Sequence, residues 1–371
     1  MKHKIAMVGN NLQMMCNFRL EVMIALAQSG YEVIVIAPQS AAADTLLQHN
    51  IRHIPITIQP RTINPLKDLV LLRQLVTIYQ LEQFDFIFHY TTKIVLYGSI
   101  AARLTNRSQI PVMTGLGVIF SQPNVWSKIL LKLYKLAFRR AVEVWFLNPF
   151  DQQLFIDNKI LPTHQTFVLP SEGVNTTHYN TTLPLPTQPF TFVYIGRLLK
   201  EKGIEELIKA TQTLQTSDIH FQVYLVGPIN ESKSAVSKEQ IIAWEQAGLI
   251  RYLQETNNVL PYYEQATCVI LPSYREGVSR VLLEAASMSR PIIATDVPGC
   301  RDVVEDGYNG WLCRERDCNS LAMAMNNAMK TQLEQLCKMG QLGRKKVVDN
   351  FDINKISSIY ISKLNKYLNT I

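Results

Sequence analysis

The chain has 371 residues, enough for two domains at roughly 100–200 residues each. With 47% hydrophobic and 18% charged residues it is an ordinary globular protein, not a disordered, collagen-like or coiled-coil one. Thirty-seven Lys/Arg against 30 Asp/Glu give +7, and residues 1–180 hold sixteen and ten of these, so the first half is expected to meet an anionic surface, an excess that does not call for nucleic acid.

Short runs of Val, Ile and Phe alternate with amphipathic stretches of helical period, the pattern of parallel sheets covered by helices on both faces. In the first half, strands are predicted at residues 4–8, 32–37, 86–89, 111–114, 143–147 and 165–169. A helix is predicted over 18–29, where Phe18, Val22, Ala25 and Leu26 share a face and Gly30 supplies the stop. Pro184, Pro186 and Pro189 interrupt the pattern at 181–189, which reads as a linker. Beyond it follow strand 191–195, helix 204–214, strand 221–226, helix 238–246, strand 267–271, helix 279–287 and strand 291–294. The division is therefore 1–180, 181–189 and 190–352, with a last helix, 353–368 of the segment 353–371, expected to pack back on the first domain. Two doubly wound α/β domains facing across a cleft place function in the loops after strands.

The six cysteines (Cys16, Cys268, Cys300, Cys313, Cys318, Cys337) form no C-x-x-C pair and no zinc spacing with His, and are read as reduced thiols. Residues 5–8 are too short for a signal peptide, and no run approaches the ~20 apolar residues of a spanning helix. A cytoplasmic protein is expected.

Two motifs carry chemistry. Gly196-Arg197-Leu198-Leu199-Lys200-Glu201-Lys202-Gly203 lies directly after a strand and before a helix. Gly196 permits a tight turn, and Arg197 and Lys202 suit a diphosphate, one as a fork and one as a point charge. The second, Ser273-Tyr274-Arg275-Glu276-Gly277-Val278-Ser279, also follows a strand and leads into the helix that carries Glu284. Glu276 ahead of that helix and Glu284 about one and a half turns inside it bracket one ligand. The N–H groups of Gly277, Val278 and Ser279 at the positive helix end favour a diphosphate between them. Each motif alone is weak; the two together in one domain point to a nucleoside diphosphate bound through sugar, phosphate and ribose.

On these motifs the chain resembles the retaining glycosyltransferases of family 4, whose GT-B fold is two facing Rossmann-like domains. The densest part runs from Val259-Leu260-Pro261-Tyr262-Tyr263 through the Glu276 motif to Arg290-Pro291-Ile292-Ile293-Ala294-Thr295-Asp296-Val297-Pro298-Gly299-Cys300-Arg301 and Gly307-Tyr308-Asn309-Gly310. It is most similar to the branch that builds capsule, O-antigen and glycoprotein oligosaccharides on undecaprenyl diphosphate, including the N-acetylgalactosaminyltransferases that extend bacillosamine. The resemblance implies that Glu276 contacts the donor sugar, Glu284 the ribose, and Arg197 and Lys202 the diphosphate, with no metal cofactor. It also departs from the pattern: the first loop reads Gly9-Asn10-Asn11-Leu12 where many members have Gly-Gly, and no histidine follows the strand ending Met113-Thr114-Gly115-Leu116-Gly117. Asn10, Arg19 and His89 are the candidates on the acceptor side.

Within residues 126–140, Lys128, Lys132, Lys135 and Arg139 recur at helical intervals, beside Ile129, Leu130, Leu133, Leu136 and Ala137, with Trp126 at an interfacial position. This helix is expected to lie on an anionic leaflet. The function expected is transfer of a hexose or N-acetylhexosamine, GalNAc or a related sugar, from a UDP-sugar to an undecaprenyl-diphosphate-linked saccharide at the cytoplasmic face of a bacterial inner membrane. Two other readings stand beside it: a nonhydrolysing UDP-sugar epimerase, and a non-catalytic nucleotide-sugar-binding subunit of a polysaccharide assembly complex.

Overall fold

The computed structural model of the chain describes residues 2–59, 64–115, 125–186, 188–215, 220–229, 234–256 and 258–369, with no account of the side chains of 125–128. The chain divides into two compact units, Met1–Glu172 with Ile353–Ile371, and Gly173–Asp352.

The first unit runs β1 (Lys4–Val8), α1 (Leu12–Gln28), β2 (Glu32–Ala37), α2 (Ala43–Gln48), β3 (Arg52–Pro55), α3 (Pro65–Glu82), β4 (Phe86–Tyr90), α4 (Thr92–Leu104), β5 (Ser108–Met113), α5 (Val125–Ala137), β6 (Val144–Phe146), α6 (Pro149–Asp157) and β7 (Thr166–Val168). Its seven strands lie in the order β3-β2-β1-β4-β5-β6-β7, all parallel. Strands buried on both faces read as unbroken apolar runs, as β1 and β2 do. Helix α1 begins at Leu12, six residues ahead of its expected start, because the Asn11 side chain accepts from Met14 N at 2.8 Å and caps it.

The second unit continues with β8 (Phe190–Ile195), α7 (Ile204–Leu214), β9 (Phe221–Val226), α8 (Lys238–Gln246), β10 (Arg251–Leu253), α9 (Leu260–Gln265), β11 (Cys268–Leu271), α10 (Arg280–Ser287), β12 (Ile292–Thr295), β13 (Gly310–Cys313), α11 (Cys318–Lys330) and α12 (Leu333–Asn350). The parallel order is β10-β9-β8-β11-β12-β13. In both sheets the strand order reverses beside the first strand, at β1/β4 and at β8/β11, and ligands of doubly wound sheets sit at such points.

The chain passes between the units at Glu172–Gly173, well ahead of the expected linker at 181–189. Val174 N donates to Phe351 O at 3.0 Å, and Pro186 O accepts from Thr267 Oγ1 at 2.7 Å, so the proline-rich stretch is a strap on the second unit. The last helix, α13 (Ile353–Leu368), belongs to the first unit. Its Tyr360 packs on Trp145 and Phe88, its Lys363 reaches both oxygens of Glu143 at 2.7 and 2.8 Å, and Asn365 accepts from Tyr31.

Candidate active site

Both sequence motifs spring from the two strands that flank the reversal of the second sheet, 196–203 from β8 and 272–279 from β11. Glycines lock them together. Gly203, at φ +74°, lies so close to the second loop that a Cβ would stand 2.0 Å from Pro272 O. Gly299, at φ +82°, closes the other side, its Cβ position 2.0 Å from Gly277 O. No other residue type fits where backbone meets backbone at positive φ. Tyr274 N donates to Glu201 O at 2.9 Å, and the Thr295 hydroxyl donates to Ser273 O.

This packing brings Lys202 Nζ to 2.5 Å from Glu276 Oε1, with the side chains 19% and 13% exposed. Arg197 is held at its backbone, where its carbonyl accepts from Tyr194 OH at 2.8 Å. Its side chain is exposed and meets no acid among the described residues. Helix α10 has Ser279 at its N-cap with no side-chain capping bond and no acidic residue in its first turn. Among the described residues the N–H groups of Gly277, Val278 and Ser279 find no acceptor, so the loop and the positive helix end leave free donors that suit an anion.

Glu284 is buried on α10. Its Oε2 accepts from Tyr263 OH at 2.8 Å and its Oε1 from Arg280 Nε at 2.8 Å. Burial, and then the Glu284 charge, push the hydroxyls of Tyr263 and Tyr179 above the ordinary tyrosine range, keeping both as donors. Tyr263 and Arg280 were not anticipated from the sequence. Arg280 stands four residues before Glu284, a spacing that signals a helical ion pair, whereas Tyr263 carries no such cue.

In the first unit the acceptor-side candidates do not form one cluster. Asn10 follows β1 at the reversal point and is half-buried. Arg19 is not at the start of its helix: it lies on the second turn, buried, paired with Glu172 and stacked 4.0 Å over the Tyr90 ring. His89 is wholly buried, which corrects its reading as a cleft residue. Strand alternation turns it to the helix layer, where Nε2 meets Tyr79 OH at 3.0 Å and the ring fills the space beside Gly98. Burial lowers its pKa to about 3, so it stays neutral.

On α5, Leu131, Tyr134, Ala137 and Phe138 just beyond it form the buried side, while Lys132, Lys135 and Arg139 face outward. Ile129, Leu133 and Leu136 are exposed among them. The side chains of Trp126 and Lys128 lie outside the described residues. No described helix is long and apolar enough to cross a membrane.

Residues 4–148 match the family described as "Glycosyl transferase 4-like", and residues 177–346 that described as "Glycosyl transferases group 1". The chain is 24% identical over 327 residues, 82% of it and 84% of the relative, to the N,N'-diacetylbacillosaminyl-diphospho-undecaprenol alpha-1,3-N-acetylgalactosaminyltransferase of Campylobacter jejuni. It is 21% identical over 355 residues, 91% and 90% of the two chains, to the UDP-Gal:alpha-D-GlcNAc-diphosphoundecaprenol alpha-1,3-galactosyltransferase of Escherichia coli. The fold matches the crystal structure of Anabaena HepE in complex with UDP-glucose, with a TM-score of 0.79 at 21% identity over 98% of this chain and 99% of that one. With both halves matched in order, the chain belongs to the GT-B glycosyltransferases, with a 4-like first half and a group 1 second half.

Proposed function

We propose that this glycosyltransferase moves a hexose or N-acetylhexosamine, GalNAc or a close relative, from a UDP-sugar to an undecaprenyl-diphosphate-linked saccharide, with retention at the anomeric carbon and without a metal ion. The observation that supports the donor half is the junction of the loops after β8 and β11, where Lys202 meets Glu276 and the N–H groups of 277–279 stand free ahead of α10; on this reading Arg197 and Lys202 hold the diphosphate between Glu276 and Glu284. The names of the Campylobacter and Escherichia relatives support the acceptor class.

As the glycosidic bond stretches, negative charge grows on the leaving diphosphate. Arg197, Lys202 and the α10 N-terminus stabilise that charge more in the transition state than in the ground state. Glu276 orients the sugar through its hydroxyls, and Glu284 holds the ribose. On the face the diphosphate leaves, a phosphate oxygen takes the proton of the incoming hydroxyl, so no side-chain base is required. The exposed basic side of α5 supports peripheral attachment to the cytoplasmic leaflet, at ~1 kcal/mol per basic residue near an anionic surface.

Alanine at Arg197 or Lys202 should lower turnover more than about tenfold, the scale of one lost charge-assisted contact. Radiolabel from the donor should appear in the lipid extract. Near-normal transfer by both variants would remove the clamp, and label confined to free nucleotide sugars would favour an epimerase.

A further inference from the structure

Helices α3, α4 and α5 cover one face of the first unit's sheet, α3 against α4 and α4 against α5, while α1 and α13 pack together on the other. Residues 65–140, which contain this layer, hold ten Lys/Arg and three Asp/Glu, and the rest of the chain holds 27 of each. The layer thus carries the whole net charge of the protein. All three of its acids are engaged: Asp68 by Lys93 and Tyr97, Glu82 by Lys4 and Arg52, and Asp85 by the Lys4 N–H and His3. Lys67, Arg73, Lys132, Lys135 and Arg139 meet no carboxylate among the described residues.

Among these cations, α3 leaves large apolar side chains in the open: Leu66 is 78% exposed, Leu69 45% and Val70 52%. Their direction is set by what holds the helix. The Asn64 side chain accepts from Leu66 N and Lys67 N at 3.1 and 3.2 Å and caps it. Asp68, 4% exposed, accepts from Lys93 Nζ at 2.7 Å and Tyr97 OH at 3.1 Å. With Asp68, Leu71, Leu75 and Tyr79 turned inward, residues 66, 69, 70 and 73 face out. A rigid apolar edge among unpaired cations marks a surface that another body covers. A second copy would set like charge against like. An anionic bilayer answers both features, its phosphates the cations and its acyl boundary the leucines.

We propose that α3 is a second membrane-docking element beside α5, with Leu66, Leu69 and Val70 entering the headgroup–acyl boundary and Lys67 and Arg73 on lipid phosphates. Neighbouring helix axes lie about 8–10 Å apart, so α3 and α5 make two lines of attachment about 16–20 Å apart. Two lines fix the tilt of the unit where one would leave it free to roll. Because α3 starts at the carboxyl edge of the sheet, docking it brings the loops after β1 and β4 to the depth of a lipid diphosphate. That purpose rests on the acceptor proposed above; the docking itself needs no donor and is measured without one.

The test is flotation of the full chain with phosphatidylglycerol/phosphatidylethanolamine vesicles and with phosphatidylcholine vesicles. The wild type should float with the first and not the second. The variant Leu66→Ser/Leu69→Ser/Val70→Ser should bind anionic vesicles at least tenfold less, with an unchanged melting temperature. Lys67→Gln/Arg73→Gln should bind several-fold less and respond less to salt. Binding of the triple variant within twofold of wild type overturns the proposal. So does equal binding to both vesicle types, or a wild-type dimer in sedimentation that the triple variant dissolves.

Discussion

The cation assigned to the diphosphate is paired with the acid assigned to the sugar, Lys202 Nζ standing 2.5 Å from Glu276 Oε1. A hydrogen bond between charged groups contributes about 1.5–3 kcal/mol, and partial exposure of this pair brings the figure to about 1–2 kcal/mol. An incoming diphosphate has to share or displace that contact. Glu276→Gln keeps the shape and removes the charge, so Lys202 becomes free for phosphate. UDP should then bind about five- to thirtyfold more tightly, since every 1.4 kcal/mol is tenfold. Transfer should fall more than about tenfold, because the sugar loses its charged partner. Calorimetric titration of UDP into wild type, Glu276→Gln and Lys202→Ala, with transfer assays on the same preparations, separates the two effects. Tighter UDP with slower transfer is the signature of the exchange. UDP binding in Glu276→Gln that is unchanged or weaker refutes it, and with it the assignment of Lys202 to the diphosphate.

Tyr263→Phe removes a donor 2.8 Å from Glu284 Oε2 and should raise the donor KM about tenfold with kcat within twofold, the cost of one unmet bond to a buried acid. Gly203→Ala forces a Cβ to 2.0 Å from Pro272 O at positive φ and should cost about 2–5 kcal/mol, read as a lower melting temperature together with lost transfer. His89 titrates near 3 in the folded state against 6.5 when exposed, so below pH 6.5 the unfolded chain takes a proton the native one refuses. Stability is therefore present above that pH and lost as pH falls towards 3: between pH 7 and 5 the wild type should lose about 2 kcal/mol more than His89→Gln in denaturant titrations. Transfer should persist in excess EDTA; activity that vanishes and returns with a divalent cation would overturn the metal-independent reading.

The central strands were legible because parallel strands covered on both faces need apolar runs, as in the β1 and β2 segments. The edges were not. β3 reads Arg-His-Ile-Pro and β10 Arg-Tyr-Leu, too short and too polar to stand out. Helix α3 escaped because it has no clean apolar stripe: Leu66, Leu69, Val70 and Leu81 point to solvent as surely as Leu71 and Leu75 point to the core. The feature that hid it is the one that gives it a docking role. The boundary near 180 failed for a different reason. Prolines mark where a ladder cannot run, and here that stretch lies along the second unit and is held by hydrogen bonds such as that from Thr267 to Pro186.

The candidate site was readable as far as its chemistry lies in loops that directly follow strands. Its meaning depends on which strands are neighbours. Two glutamates eight apart and a basic octapeptide some seventy residues earlier acquire a common target only because β8 and β11 pair directly. Gly203 then leaves no space between the loops that extend from that pair, and Gly299, after β12, leaves none beside the second of them. The same neighbourhood decides the charge state. Lys202 and Glu276 are 74 residues apart and Tyr263 and Glu284 are 21 apart, beyond any helical spacing, so only Arg280 with Glu284 was within reach of periodicity. Residue types in a motif show what a site is able to bind, whereas tertiary pairing shows which of those groups engage one another. At the donor site proposed above, a sugar nucleotide has to replace internal ion pairs with its own phosphates and hydroxyls. That favours the complete sugar nucleotide, which offers partners to both Lys202 and Glu276, over a nucleoside diphosphate, which satisfies one and strands the other.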